Sequence, residues 1–102
     1  MTKYKRQRPK RRPSHPGEVL KELWLKELNY SQSQFADLLV EATNGKVKKS
    51  TMQTKLNEVI KGKRAMSAEF AVLLSRVLKT SARMWMNLQT NLDIWEAESE
   101  TA

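Results

Sequence analysis

Cysteine is absent from the 102-residue sequence, so a disulfide framework, a thiolate metal site and a thiol nucleophile are all excluded. Stability has to come from packing alone. The single histidine, His15, lies beside Pro16 at what reads as a helix start. There is no His/Glu metal spacing, no G-x-S-x-G and no glycine-rich phosphate loop. The expectation is a protein that is not an enzyme and holds no cofactor or metal. No run of about 18 apolar residues could span a bilayer, and the N-terminus is basic where a signal peptide would be apolar. A soluble, cytoplasmic protein with no membrane partner is expected. Glycine is limited to three residues and no alternating strand pattern is visible, which favours an all-α fold.

Apolar residues make up 39% of the chain, enough to close one small core but not two. The net charge of +8 is unevenly placed. Residues 1–13 hold Lys3, Lys5, Arg6, Arg8, Lys10, Arg11 and Arg12 with no acid, leaving twelve bases against eleven acids in the remainder. That opening stretch has almost nothing to bury and is expected to be a disordered basic arm. A second basic stretch carries Lys46, Lys48, Lys49, Lys55, Lys61, Lys63 and Arg64 against Glu58 alone. The end of the chain is acidic, with Asp93, Glu96, Glu98 and Glu100 and no base after Arg83. One basic face and one acidic end suit a polyanion held on one side. Scattered solvated charge is the plain alternative.

The pattern divides the chain into a basic arm (1–13), a helical domain (14–96) and an acidic tail (97–102). Pro16 suits the first helical position, and Leu20, Trp24 and Leu28 follow at helical spacing with Val19 and Leu23 beside them. Ser31-Gln32-Ser33-Gln34 has the form of a capping box opening a second helix to about Ala42, and Asn44-Gly45 is a turn signal. Ser50-Thr51-Met52-Gln53 repeats the S-x-x-Q form before a third helix of about residues 51–61. Ser67 and Ser81 cap a fourth and a fifth. On the fifth, Trp85, Leu88, Leu92 and Trp95 form a stripe that is either core or a dimer interface.

The second and third helices have the order of a helix-turn-helix. The third buries Met52, Leu56, Val59 and Ile60 and offers Gln53, Thr54, Lys55 and Asn57. These residue types bond adenine edges, guanine acceptors or phosphate and touch the thymine methyl. Helix starts at Ser31 and at Ser50-Thr51 present N–H groups that could hold phosphate.

His15-Pro16-Gly17-Glu18, Leu28-Asn29-Tyr30-Ser31-Gln32, Lys61-Gly62-Lys63-Arg64 and Trp85-Met86-Asn87-Leu88-Gln89 in this order resemble the HigA-type antitoxins. These belong to the Xre and lambda-repressor-like helix-turn-helix family. The resemblance covers roughly residues 14–96. It implies a five-helix DNA-binding domain that forms a homodimer, binds a double-stranded DNA operator, represses its own operon and neutralises a HigB-type toxin that cleaves messenger RNA. It also implies that Gln32 and Ser33 approach the DNA backbone, that Gln53, Thr54, Lys55 and Asn57 form the reading face, and that Lys61, Lys63 and Arg64 touch phosphate. Between Leu39 and Met52 the chain is longer than the tight turn of that family. Two alternatives stay open. One is a repressor of the same fold without a toxin. The other is an RNA-binding protein, since a basic arm suits RNA equally. Against RNA, Trp24, Phe35, Phe70, Trp85 and Trp95 fall on apolar stripes, leaving Tyr4 and Tyr30 to stack.

Overall fold

His15 starts the first helix from an extended conformation, φ −67° and ψ 141°, and its Nδ1 accepts the Gly17 N–H at 2.9 Å. Pro16 follows at a position where the missing N–H costs nothing. In the computed structural model, which describes residues 11–101, helix α1 covers residues 16–28 in three parts. These are an α turn Pro16–Val19, a π segment Leu20–Leu25 and a closing α turn Lys26–Leu28. The expected stripe of Leu20, Trp24 and Leu28 is therefore buried only in part, Leu20 fully and Leu28 not at all. Bonds of the i→i+5 kind, such as Lys26 N–H to the Lys21 carbonyl, widen the turn and bring Leu20 and Leu25 inward together. Leu23 and Leu28 stand 62% and 48% exposed, and Trp24 is half-buried. Asn29, left-handed at φ 59°, ends the helix.

Helix α2, Gln32–Ala42, opens on the capping box read from the sequence. Ser31 Oγ accepts the Gln34 N–H at 3.0 Å, and Gln34 Oε1 accepts the Ser31 N–H at 2.9 Å. A six-residue connection, 43–48, turns through Asn44 and Gly45, both at positive φ. Helix α3 is Lys49–Ile60, α4 is Ala68–Leu78 and α5 is Ala82–Thr101. Ser67 and Ser81 cap the last two, accepting the Phe70 and Met84 N–H groups at 3.1 and 3.2 Å. There is no strand among the described residues. Glu98 and Glu100 ride on the last turns of α5.

Leu20 and Leu25 from α1, Phe35 and Leu39 from α2, Met52 and Leu56 from α3, Phe70 and Leu74 from α4 and Trp85 from α5 form one core. The closest approach is between backbones. A Cβ at Gly17 would fall on the Val59 carbonyl, so only glycine lets α1 rest against the end of α3. The His15 ring also lies against the loop after α3, near the Arg64 backbone and beside Gly62, which is left-handed at φ 75°. Residues 1–10 of the basic arm lie outside the described residues. Arg12, at the arm's root, pairs with Glu96 of α5 at 2.9 Å.

Burial, with the Arg12 charge added, holds the His15 imidazole below its ordinary 6.5. The unfolded chain takes up this proton near 6.5 and the folded chain only at lower pH. Stability is therefore full above about 6.5 and declines as pH falls toward the lowered folded value. His15→Asn keeps a capping acceptor without titrating. Comparing urea midpoints at about pH 7.5 and about pH 5.5 should show a smaller loss for the variant than for the native chain. Equal losses would mean that His15 is not the group responsible.

Candidate nucleic-acid interface

Capping at the start of α2 leaves Gln32 and Ser33 exposed on its first turn. Against them lies α3, joined to α2 by two side-chain straps. Gln53 Nε2 donates to Ser33 Oγ at 3.3 Å, and Lys49 Nζ meets Asp37 Oδ1 at 2.9 Å. All four groups are solvent-accessible, so each strap adds little stability. What they fix is the placement of the exposed edge of α3 beside the open start of α2.

The start of α3 differs from its expected form. Its N-cap is Lys48, which supplies no side-chain acceptor, and Met52 N–H bonds the Lys48 carbonyl. Ser50 is thus inside the first turn rather than capping it, and its carbonyl accepts the Thr54 hydroxyl at 3.0 Å. The helix begins two residues early because the connection ends at Lys48 in an extended conformation. Ser50 and Thr51 remain exposed there, beside backbone N–H groups that no side chain caps.

Met52, Leu56, Val59 and Ile60 are buried as the sequence predicts. The reading set divides over the rest of the helix. Gln53 and Asn57, one turn apart, share the edge facing α2, with Thr54 exposed beside them. Lys55 lies about 200° around the axis from Gln53, at about 100° per residue. It lines a cleft with Met52 and Val59 instead. The expectation of one common face therefore applies to Gln53, Thr54 and Asn57 but not to Lys55.

Past α3 the chain reverses at Gly62, and the Lys63 and Arg64 N–H groups both bond the Glu58 carbonyl, at 2.8 and 3.2 Å. Lys61 and Lys63 are exposed, with no carboxylate within ion-pair distance among the described residues. Arg64 is differently placed, its Nε and Nη2 both on Glu58 Oε1 at 2.8 and 2.7 Å. A phosphate would have to compete with that carboxylate for Arg64. The loop is pinned from behind by Gln89, which is buried on α5. Its Oε1 accepts the Met66 N–H at 2.7 Å and its Nε2 donates to Asp93 at 2.9 Å. Gln89 is the final residue of the W-x-N-L-Q signature, and sequence reasoning gave it no task.

On α5, Trp85 and Leu92 are buried within the chain. Trp85 packs against Trp24 at 6.4 Å between ring centroids and donates its Nε1–H to Thr80. Neither side chain has surface left to offer a second copy. Leu88 and Trp95 are half-buried and Ile94 is exposed. No group of three His, Asp or Glu side chains that could hold a metal occurs among the described residues.

The comparisons with known proteins match this arrangement. No protein-family profile matches the chain. An HTH-type transcriptional regulator of Haemophilus influenzae is 31% identical over 88 residues, spanning 86% of this chain and 73% of that protein. Antitoxin HigA of Pseudomonas aeruginosa, whose structure was solved with the higBA promoter, is 35% identical. It superimposes with a TM-score of 0.71 over 87% of this chain and 86% of its own. Antitoxin GraA is 34% identical with a TM-score of 0.72, over 88% of this chain and 86% of its own. With that similarity spread over nearly the whole described chain, and with its helix-turn-helix intact, the protein belongs to the helix-turn-helix transcriptional regulators, in the group that contains the HigA-type antitoxins.

Proposed function

We propose that this protein is a sequence-specific DNA-binding repressor that acts, as a homodimer in the cytoplasm, as the antitoxin of a toxin-antitoxin pair. It would repress its own operon and neutralise a HigB-type toxin that cleaves messenger RNA. The observation that carries the DNA reading is the edge of α3. Gln53 and Asn57 stand one turn apart, beside the exposed start of α2 and between two basic loops. Amide side chains there can bond adenine edges in the major groove. Gln32, Ser33, Ser50 and Thr51 lie where backbone phosphates would run, with Lys61 and Lys63 on the far side. The Pseudomonas aeruginosa relative, solved with the higBA promoter, supports DNA as the partner. For the dimer, Leu88 and Trp95 are the members of the α5 stripe that keep accessible surface, with Ile94 exposed next to Trp95, and two copies would match two half-sites. The basic arm would add phosphate contacts without sequence choice.

Replacing Gln53 or Asn57 by Ala should cost about 1–3 kcal/mol on the DNA upstream of the protein's own reading frame and little on random duplex. Fluorescence anisotropy on both duplexes measures this, and equal losses on the two would show that these amides touch only backbone.

The toxin reading rests on the antitoxin relatives, and affinity purification from the native host with mass spectrometry tests it. A small ribonuclease should accompany the protein in near-equal amount, and its RNA cleavage should stop when this chain is added back. Recovery of the chain with DNA but no such protein would leave a stand-alone repressor.

A further inference from the structure

Behind the edge that faces α2, an open cleft of about 740 Å³ lies between the 43–47 connection, α3 and the first turns of α4. Val47, Phe70 and Leu73 are apolar residues along its wall, and Val72, 39% exposed, stands at its lip. Lys46, Lys55 and Arg76, from three separate elements, line the same cleft. None of the three has a carboxylate within ion-pair distance among the described residues, whereas Lys49 and Arg64 nearby are both paired. Glu69 is the single acid in the lining.

We propose that this cleft binds a small amphipathic anion, a carboxylate attached to an aliphatic body, in a site separate from the edge of α3 assigned to DNA. The volume falls in the range of small-molecule sites, which pair an apolar lining with a few convergent polar groups. Three unneutralised cations around a concavity focus positive potential into it, which selects an anion. Bare phosphate would leave the apolar wall and Val72 in water, and DNA backbone has no apolar part to bury there. A fatty carboxylate satisfies both halves. Its head accepts charge-assisted hydrogen bonds from Lys46, Lys55 and Arg76, and its chain covers Phe70, Val72 and Leu73. Arg76 and Val72 lie on α4, outside the helix-turn-helix pair, so the site extends beyond anything needed to read DNA.

Calorimetric titration of the full chain, without DNA, with decanoate, inorganic phosphate and 1-decanol separates the contributions. Decanoate should bind with a 1:1 endpoint, and phosphate and 1-decanol should each bind at least about tenfold more weakly. Arg76→Gln and Val72→Asp change exposed positions and should keep the helical circular dichroism. Each should weaken decanoate by about tenfold or more. The proposal fails if decanoate shows no binding into the millimolar range, if phosphate binds as well as decanoate, or if both folded variants bind decanoate like the native chain. Because DNA is absent, these results are independent of whether α3 reads an operator.

Discussion

The contact on which the remaining geometry depends is that between Gly17 and the last turn of α3. There the backbone of α1 reaches the Val59 carbonyl, a distance no side chain would permit. From that point His15 extends the contact in two directions, capping α1 through the Gly17 N–H and packing its ring against the basic loop at Gly62 and Arg64. The end of the candidate reading helix and the loop that follows it are thus fixed by one three-residue start, His15-Pro16-Gly17. Gln89 completes the fixing from the opposite side through the Met66 N–H. A loop whose backbone is backed from two sides presents Lys61 and Lys63 on a fixed main chain, which reduces the backbone entropy lost on binding.

The two edges of α3 divide the available chemistry. Toward α2, the straps from Gln53 and Lys49 cost little to break individually, and Gln53 can exchange its 3.3 Å bond to Ser33 for a stronger partner. Toward α4, the edge turns apolar at Met52 and Val59 and ends in Lys55 over the cleft. A helix with two such edges sits between a polar surface and an amphipathic one, and substitutions on one edge need not affect the other. Arg64 stands between them with its charge already balanced by Glu58, so it gives the loop shape more than it gives the surface charge.

Much of this architecture could be read from the sequence where local chemistry decides. The capping serines at 31, 67 and 81, the Asn44-Gly45 turn and the buried stripe of α3 all depend on residues a few positions apart. What could not be read depends on partners distant in sequence or on a change of helical period. The π segment moves Leu25 inward and turns Leu23 and Leu28 outward, and an assumed spacing of 3.6 residues assigns those leucines wrongly. The S-x-x-Q motif at Ser50 has the same letters as the one at Ser31. It fails as a cap because Lys48 already supplies the extended residue before the helix. Burial of Trp85 and Leu92 was one of two readings of their stripe, and only the packing of Trp24 and the other helices against α5 distinguishes them. The separation of Lys55 from Gln53 was present in the sequence as an angle of about 200°, though the residue types suggested a single face.

Urea unfolding of the Gly17→Ala chain tests most directly whether the close approach of α1 to α3 organises the domain. In an open helical first turn, alanine in place of glycine would stabilise by roughly 0.5–1 kcal/mol. Against the Val59 carbonyl the extra carbon forces two backbones apart, a cost of about 1–3 kcal/mol or more that exceeds the propensity gain. The expected result is therefore a lower midpoint, with faster amide hydrogen exchange at Lys61, Lys63 and Arg64 in the folded state. A midpoint equal to or above that of the native chain, with exchange in that loop unchanged, would contradict it.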